Sequence, residues 1–163
     1  MSVERQLLWS TGIAALVLFA GMQFILAGLD PNIVSLQLSF TPDAFRQVLA
    51  AWRQPGIDAY RSHFPFDFAF LLCYGVFGYV GATGTSVFAG FAGKRSTQLR
   101  LLLPVAAVFD ACENIAHLLM LASDAAITPM AVALSGTFSL LKWLLTIAFA
   151  AALGIALVVR KPL

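Results

Sequence analysis

Apolar residues in this chain come in long blocks, and the blocks rather than any alternation within them set the expected architecture. Residues 7–29, 64–91, 99–122 and 128–159 are each continuously or almost continuously apolar. A helix crossing a hydrocarbon core needs about 20 such residues, so each block predicts one transmembrane helix. The first carries no charge, and the second carries one acid, Asp67. The third contains Pro104, Asp110, Glu113, Asn114 and His117, and the fourth only Lys142. Thr128-Pro129 opens the fourth with a capping residue and a first-turn proline. That block is longer than a perpendicular crossing requires, so it is expected to tilt or to project. The first block is longer than the apolar core of a signal peptide and reads as a retained span.

The one long connection, residues 30–63, has a different pattern. Ile33-Val-Ser-Leu-Gln-Leu-Ser-Phe40 alternates with the period of a short strand. Thr41-Pro42-Asp43 then supplies a cap, a first-turn proline and an acid at the positive end of a helix. Phe45, Val48, Leu49 and Trp52 follow on one face, and Pro55-Gly56 predicts the stop. Such a segment is expected to lie on the outer membrane surface with Trp52 at the interface. The sharper alternative is a lid over an outward-facing cavity. The expected fold is therefore all-α: a four-helix transmembrane bundle with a short amphipathic helix in the long first extramembrane loop, one domain across residues 1–163.

Composition narrows the class further. Hydrophobic residues make up 60% of the chain and charged residues 11%, with a mean hydropathy of +0.87. Soluble domains carry roughly 25% charged residues, so a water-soluble monomer is excluded. Disorder needs the opposite composition. A net charge of +2, scattered over several segments, offers no basic patch for nucleic acid. The partner the composition does imply is the lipid bilayer.

Charge placement gives an orientation. Four spans put Arg5, Lys94, Arg95, Arg100, Arg160 and Lys161 on one side, against Arg46, Arg53 and Arg61 on the other. The excess of basic residues predicts both termini in the cytoplasm.

The chemistry concentrates in the third block. At about 100° per residue, Asp110, Glu113, Asn114 and His117 share one helix face. Each ionised group facing lipid costs about 2.5–3.5 kcal/mol, so this face must look into the bundle or a water-filled cavity. Counting helical rise places Lys142 near Asp110, and it places Asp67 and Gln23 in the layer of His117. Tyr74 falls level with Asp110 and Glu113. Two layers are expected: an inner Asp110–Lys142 pair, and an outer cluster of Gln23, Asp67, Glu113 and His117 with Ser135 or Ser139.

Several functions fit such a cluster. The leading one binds or conducts a proton, a cation or a small ligand, because intramembrane acid and histidine chains relay protons. A chain of four spans is small for a pathway of its own, so a homo-oligomer or a partner subunit in a membrane complex is expected with it. The alternatives are an intramembrane metal-dependent enzyme acting on a lipid, and an accessory subunit whose polar network only fixes helix register. Carboxylate and imidazole donors suit a divalent metal, with Asp110, Glu113 and His117 as the ligands. The Glu-x-x-x-His spacing departs, however, from the Glu-x-x-His of bundle metal sites.

Two other patterns need no ligand. Cys73 and Cys112 stand outside any CxxC pair and read as small buried hydrophobes. Gly75, Gly78, Gly81 and Gly84 recur every third residue and predict close packing on the third span, with an oligomer contact as the alternative.

Trp52, Phe66-Asp67-Phe68, Tyr74, Pro104 and Asp110-x-x-Glu113-Asn114 together resemble a group of small bacterial four-span membrane proteins, over residues 36–120. The resemblance implies a bacterial inner-membrane location and carries no activity with it. His117 and Lys142 lie outside its pattern.

Overall fold

The computed structural model describes residues 2–88, 90–91 and 93–159. Arg160, Lys161 and the side chain of Arg95, which carry part of the charge asymmetry, lie outside the described residues. Helix α1 is Val3–Leu26, its first turn capped by Ser2, which accepts from the Arg5 amide. Helix α2 is Ile33–Gln37 and α3 is Pro42–Gly84. Helix α4 is Lys94–Ala122 and α5 is Pro129–Val159, with single 3-10 turns at Ser86–Phe88 and Asp124–Ala126. The described residues form no strand, and α1, α3, α4 and α5 are each long and apolar enough to cross a membrane.

The long helices pack in sequence order: α1 on α3, α3 on α4, and α4 on α5. Helix α1 has no extensive contact with α4 or α5, so the four form a row of neighbours, not a closed ring. The row is held close by glycine. A Cβ on Gly78 would lie 2.4 Å from the Leu103 Cβ, and one on Gly75 would lie 3.3 Å from that of Ala107, so α3 and α4 touch backbone to side chain. The stripe then winds round α3, and Gly81 and Gly84 meet Leu8 and Glu4 of α1.

Three expectations for residues 30–63 are corrected. Residues 33–40 contain the helix α2, not a strand, and Leu36 is fully buried. A lone strand would leave its backbone groups unpaired, whereas a helical turn satisfies its own. The helix from Pro42 starts as its sequence demands, with Thr41 Oγ1 accepting from the Ala44 amide. Its apolar face, however, is covered by protein. Phe45, Val48 and Trp52 share a core with Tyr60, Phe64, Met120, Leu121, Ile127 and Val132. Lastly, Pro55-Gly56 does not stop the helix. The break falls at Arg53 (φ 54°, ψ −177°), after which α3 resumes through Pro55 and Pro65 to Gly84. Pro55 sits where the resumed helix has no use for its N–H. A Cβ on Gly56 would come within 2.8 Å of the Trp52 Cβ, so glycine is what lets the chain fold back there.

The molecule therefore has two ends of different character. Residues 33–52 cap the end formed by the α4–α5 turn. The opposite end is an apolar core of Ala82, Phe88, Leu99, Leu103, Phe149 and Ala156.

Candidate functional site

Three antiparallel helices bring their polar positions together near the middle of the row. On α4, Asp110, Glu113, Asn114 and His117 are all buried, Glu113 and His117 completely. The ammonium of Lys142 on α5 donates to Asp110 Oδ1 at 2.7 Å and lies 2.7 Å from Glu113 Oε2. The second contact is an ion pair, and Glu113 Oε1 on its other side has no hydrogen-bond partner among the described residues. From α3, the Tyr74 hydroxyl donates to Asp110 Oδ2 at 3.1 Å, and Asp67 Oδ2 accepts from Asn114 Nδ2 at 2.7 Å.

Towards the α4–α5 turn the network continues through aromatic side chains. His117 Nδ1 lies 4.0 Å from Glu113 Oε1 and shares a 2.6 Å hydrogen bond with the Tyr60 hydroxyl. His117 Nε2 is buried with no partner among the described residues. The His63 ring stacks on Tyr60 with centroids 4.6 Å apart, and its Nδ1 donates to the Tyr60 carbonyl. Phe45 closes over the His117 ring, 5.5 Å from it. Ser135 and Ser139, both buried, donate back along α5 to Val132 and Ser135 carbonyls.

This arrangement alters the expected two layers. Glu113 belongs with Asp110 around Lys142, because the ammonium lies between one carboxylate and the other a turn further on. Asp67 is held by Asn114. Gln23 is not in the cluster: it is exposed on α1, whose extensive contact among the long helices is with α3. Tyr60 is the member that the sequence reading missed. Its signal was a heptad, since Tyr60, Asp67 and Tyr74 recur every seventh residue on the face of α3 that meets α4.

The proposed metal ligands are engaged otherwise. Lys142 lies between Asp110 and Glu113 and Tyr60 occupies His117 Nδ1, which leaves Glu113 Oε1 and His117 Nε2 without a hydrogen-bond partner among the described residues. Among the described residues no three His, Cys, Asp or Glu side chains are placed to hold a metal ion.

The site is also one-sided. Among the described residues, every buried polar or charged side chain lies level with Lys142 or between it and the α4–α5 turn. Beyond Asp110 in the other direction the buried side chains are Ala107, Ala106, Leu103 and Leu99 on α4, with Phe149 and Ala156 on α5. The nearest polar side chain there on α5, half-buried Thr146, donates to the Lys142 carbonyl.

Comparison with protein-family models, with curated proteins and with solved structures finds no significant match to this chain.

Proposed function

We propose that the chain is a multi-span membrane protein whose buried cluster binds and releases a proton, reached from the α4–α5 end. The charge balance supports this. Among the described residues Asp67, Asp110 and Glu113 share one buried ammonium, Lys142, so full ionisation would leave two carboxylates uncompensated away from water. Buried charge is tolerated when paired and is otherwise neutralised, and for a carboxylate neutralisation means taking a proton. The observation that carries the reading is Glu113. It is fully buried, its Oε2 lies 2.7 Å from Lys142, and its Oε1, with no hydrogen-bond partner among the described residues, lies 4.0 Å from His117 Nδ1.

The one-sided cluster favours binding over conduction by a single chain. Movement through the membrane would need an oligomer, a partner subunit or a second conformation. The exposed apolar faces of α1 and α5, with Phe24 and Val158 more than four-fifths exposed, are suited to lipid or to such a partner. Arg5, Lys94 and Arg100 at the apolar end support the reading that this end faces the cytoplasm of a bacterial inner membrane and that the site opens outward.

Infrared difference spectroscopy of the protein in lipid tests the proposal. A protonated-carboxyl band that titrates with pH in the wild type and is missing in Glu113→Gln is the expected result. A wild-type spectrum in which no buried carboxyl changes with pH would sink it.

A further inference from the structure

Residues 33–52 lie over the polar cluster, held by the apolar core beneath Leu36, Phe45, Val48 and Trp52, by Trp143 Nε1 donating to Gln37 Oε1, and by a few further polar contacts. From Pro42 to the break at Arg53 the segment is a helix that satisfies its own backbone. It is joined to the rest by side chains. The Arg46 guanidinium donates from Nε to Asp124 Oδ1 at 3.0 Å, and from Nη2 to Asp124 Oδ2 and to the carbonyls of Asp124 and Ile127. Trp52 Nε1 donates to the Pro31 carbonyl, and Phe45 rests on His117. Past the break, Arg61 donates to the Leu121 carbonyl, so the rest of α3 is fastened to α4 independently.

The break itself is strained. Arg53, exposed and not glycine, adopts a backbone conformation that is almost confined to glycine. Such conformations persist where surrounding structure imposes them, and they cluster at switch regions. Beneath the segment, Glu113 Oε1 and His117 Nε2 are buried without hydrogen-bond partners, which is a cost to the covered arrangement. Uncovering the cluster would let water reach both of these atoms.

We propose that residues 33–52 are a movable cover that hinges at Arg53, is latched by Arg46 on Asp124, and admits water and a proton to the cluster from the α4–α5 end. The inference rests on the proton-binding reading for what enters, while the motion itself is tested separately.

The test is thiol accessibility in liposomes with the native cysteines removed (Cys73→Ala, Cys112→Ala). Ser135→Cys places a thiol at a buried position on α5 one turn from Ser139 towards the α4–α5 turn, and Ala106→Cys places a control thiol in the apolar half. Removing the latch with Arg46→Ala should speed modification of Ser135→Cys by a water-soluble reagent by about fivefold, the population shift that an exposed ion pair controls. The charge swap of Arg46→Asp with Asp124→Arg should return it towards the wild-type rate, and Ala106→Cys should stay unreactive throughout. Equal rates at Ser135→Cys with and without the latch would overturn the cover. If Arg46→Ala exposes both thiols, Asp124→Asn is the milder variant. Should that too expose both, the segment does not move independently and the proposal fails. Because the readout is modification and not protonation, a moving cover over a cluster that binds no proton would be recognised as such.

Discussion

Lys142 on α5 and Asp110 on α4 are joined by a 2.7 Å hydrogen-bonded ion pair, and the same ammonium lies 2.7 Å from Glu113 one turn along. One cation thus fastens two helices and contacts two acids, its single charge offsetting one of them. Removing one partner of a buried pair costs about 3–5 kcal/mol, because it strands the other charge. Lys142→Met alone should therefore cost that much in unfolding measured in detergent. Lys142→Met combined with Asp110→Asn should cost less than the two single changes summed, by at least about 1 kcal/mol. Strict additivity would argue against the contact.

The contact between α3 and α4 makes a second prediction. Gly78→Ala puts a carbon where the Leu103 Cβ already sits, 2.4 Å away, and overpacking of that kind costs about 1–3 kcal/mol. Gly21→Ala on α1 meets nothing within 4 Å and should be neutral or slightly stabilising. Thermal melts of the two variants should separate clearly. Trimming Leu103→Ala in the Gly78→Ala background should recover part of the loss, and a Gly78→Ala protein as stable as wild type would refute the close packing.

These contacts also show what the sequence could reveal. The spans were legible because length and apolarity alone decide them, and the inward face of α4 was legible because acids cannot face lipid. Lys142 was placed near Asp110 by helical rise alone. The cover was not legible. An apolar stripe of Phe45, Val48 and Trp52 looks the same whether lipid or protein covers it, and only the fold shows Met120, Leu121 and Ile127 against it. Gln23 was misplaced for a related reason: depth along a helix says nothing about rotation, and α1 turns that residue away. Tyr60 escaped notice because residues 30–63 were read as a surface loop, which hid its heptad with Asp67 and Tyr74.

Tyr60 supports a third prediction. Its hydroxyl is the partner of His117 Nδ1, and neither side chain is more than 1% exposed. Tyr60→Phe keeps the ring packing against Trp52 and Phe64 while leaving the histidine unpartnered, at a cost of about 1–3 kcal/mol. The variant should fold, melt lower, and show shifted His117 imidazole resonances in its NMR spectrum. His117→Phe in the same background should restore stability, because the stranded polar ring is then gone. A Tyr60→Phe variant with unchanged melting and an unchanged imidazole signal would break the link between the two residues.

Arg53 gives the last prediction. Its φ of 54° with ψ of −177° lies in a region essentially restricted to glycine, where a side chain costs of order 1–3 kcal/mol. Arg53→Gly removes that cost and gives back part of it, since glycine frees the unfolded chain by about 0.4–1 kcal/mol relative to alanine. The guanidinium is exposed and contributes no contact to the core, so little else is lost. The expected net effect is a stabilisation of roughly 1 kcal/mol, read as a raised unfolding midpoint. Arg53→Val should move the midpoint the other way, because a β-branched side chain tolerates positive φ worst of all. If glycine lowers the midpoint or valine leaves it alone, the backbone at this break is not held in the strained conformation, and the hinge at the base of the cover loses its physical basis.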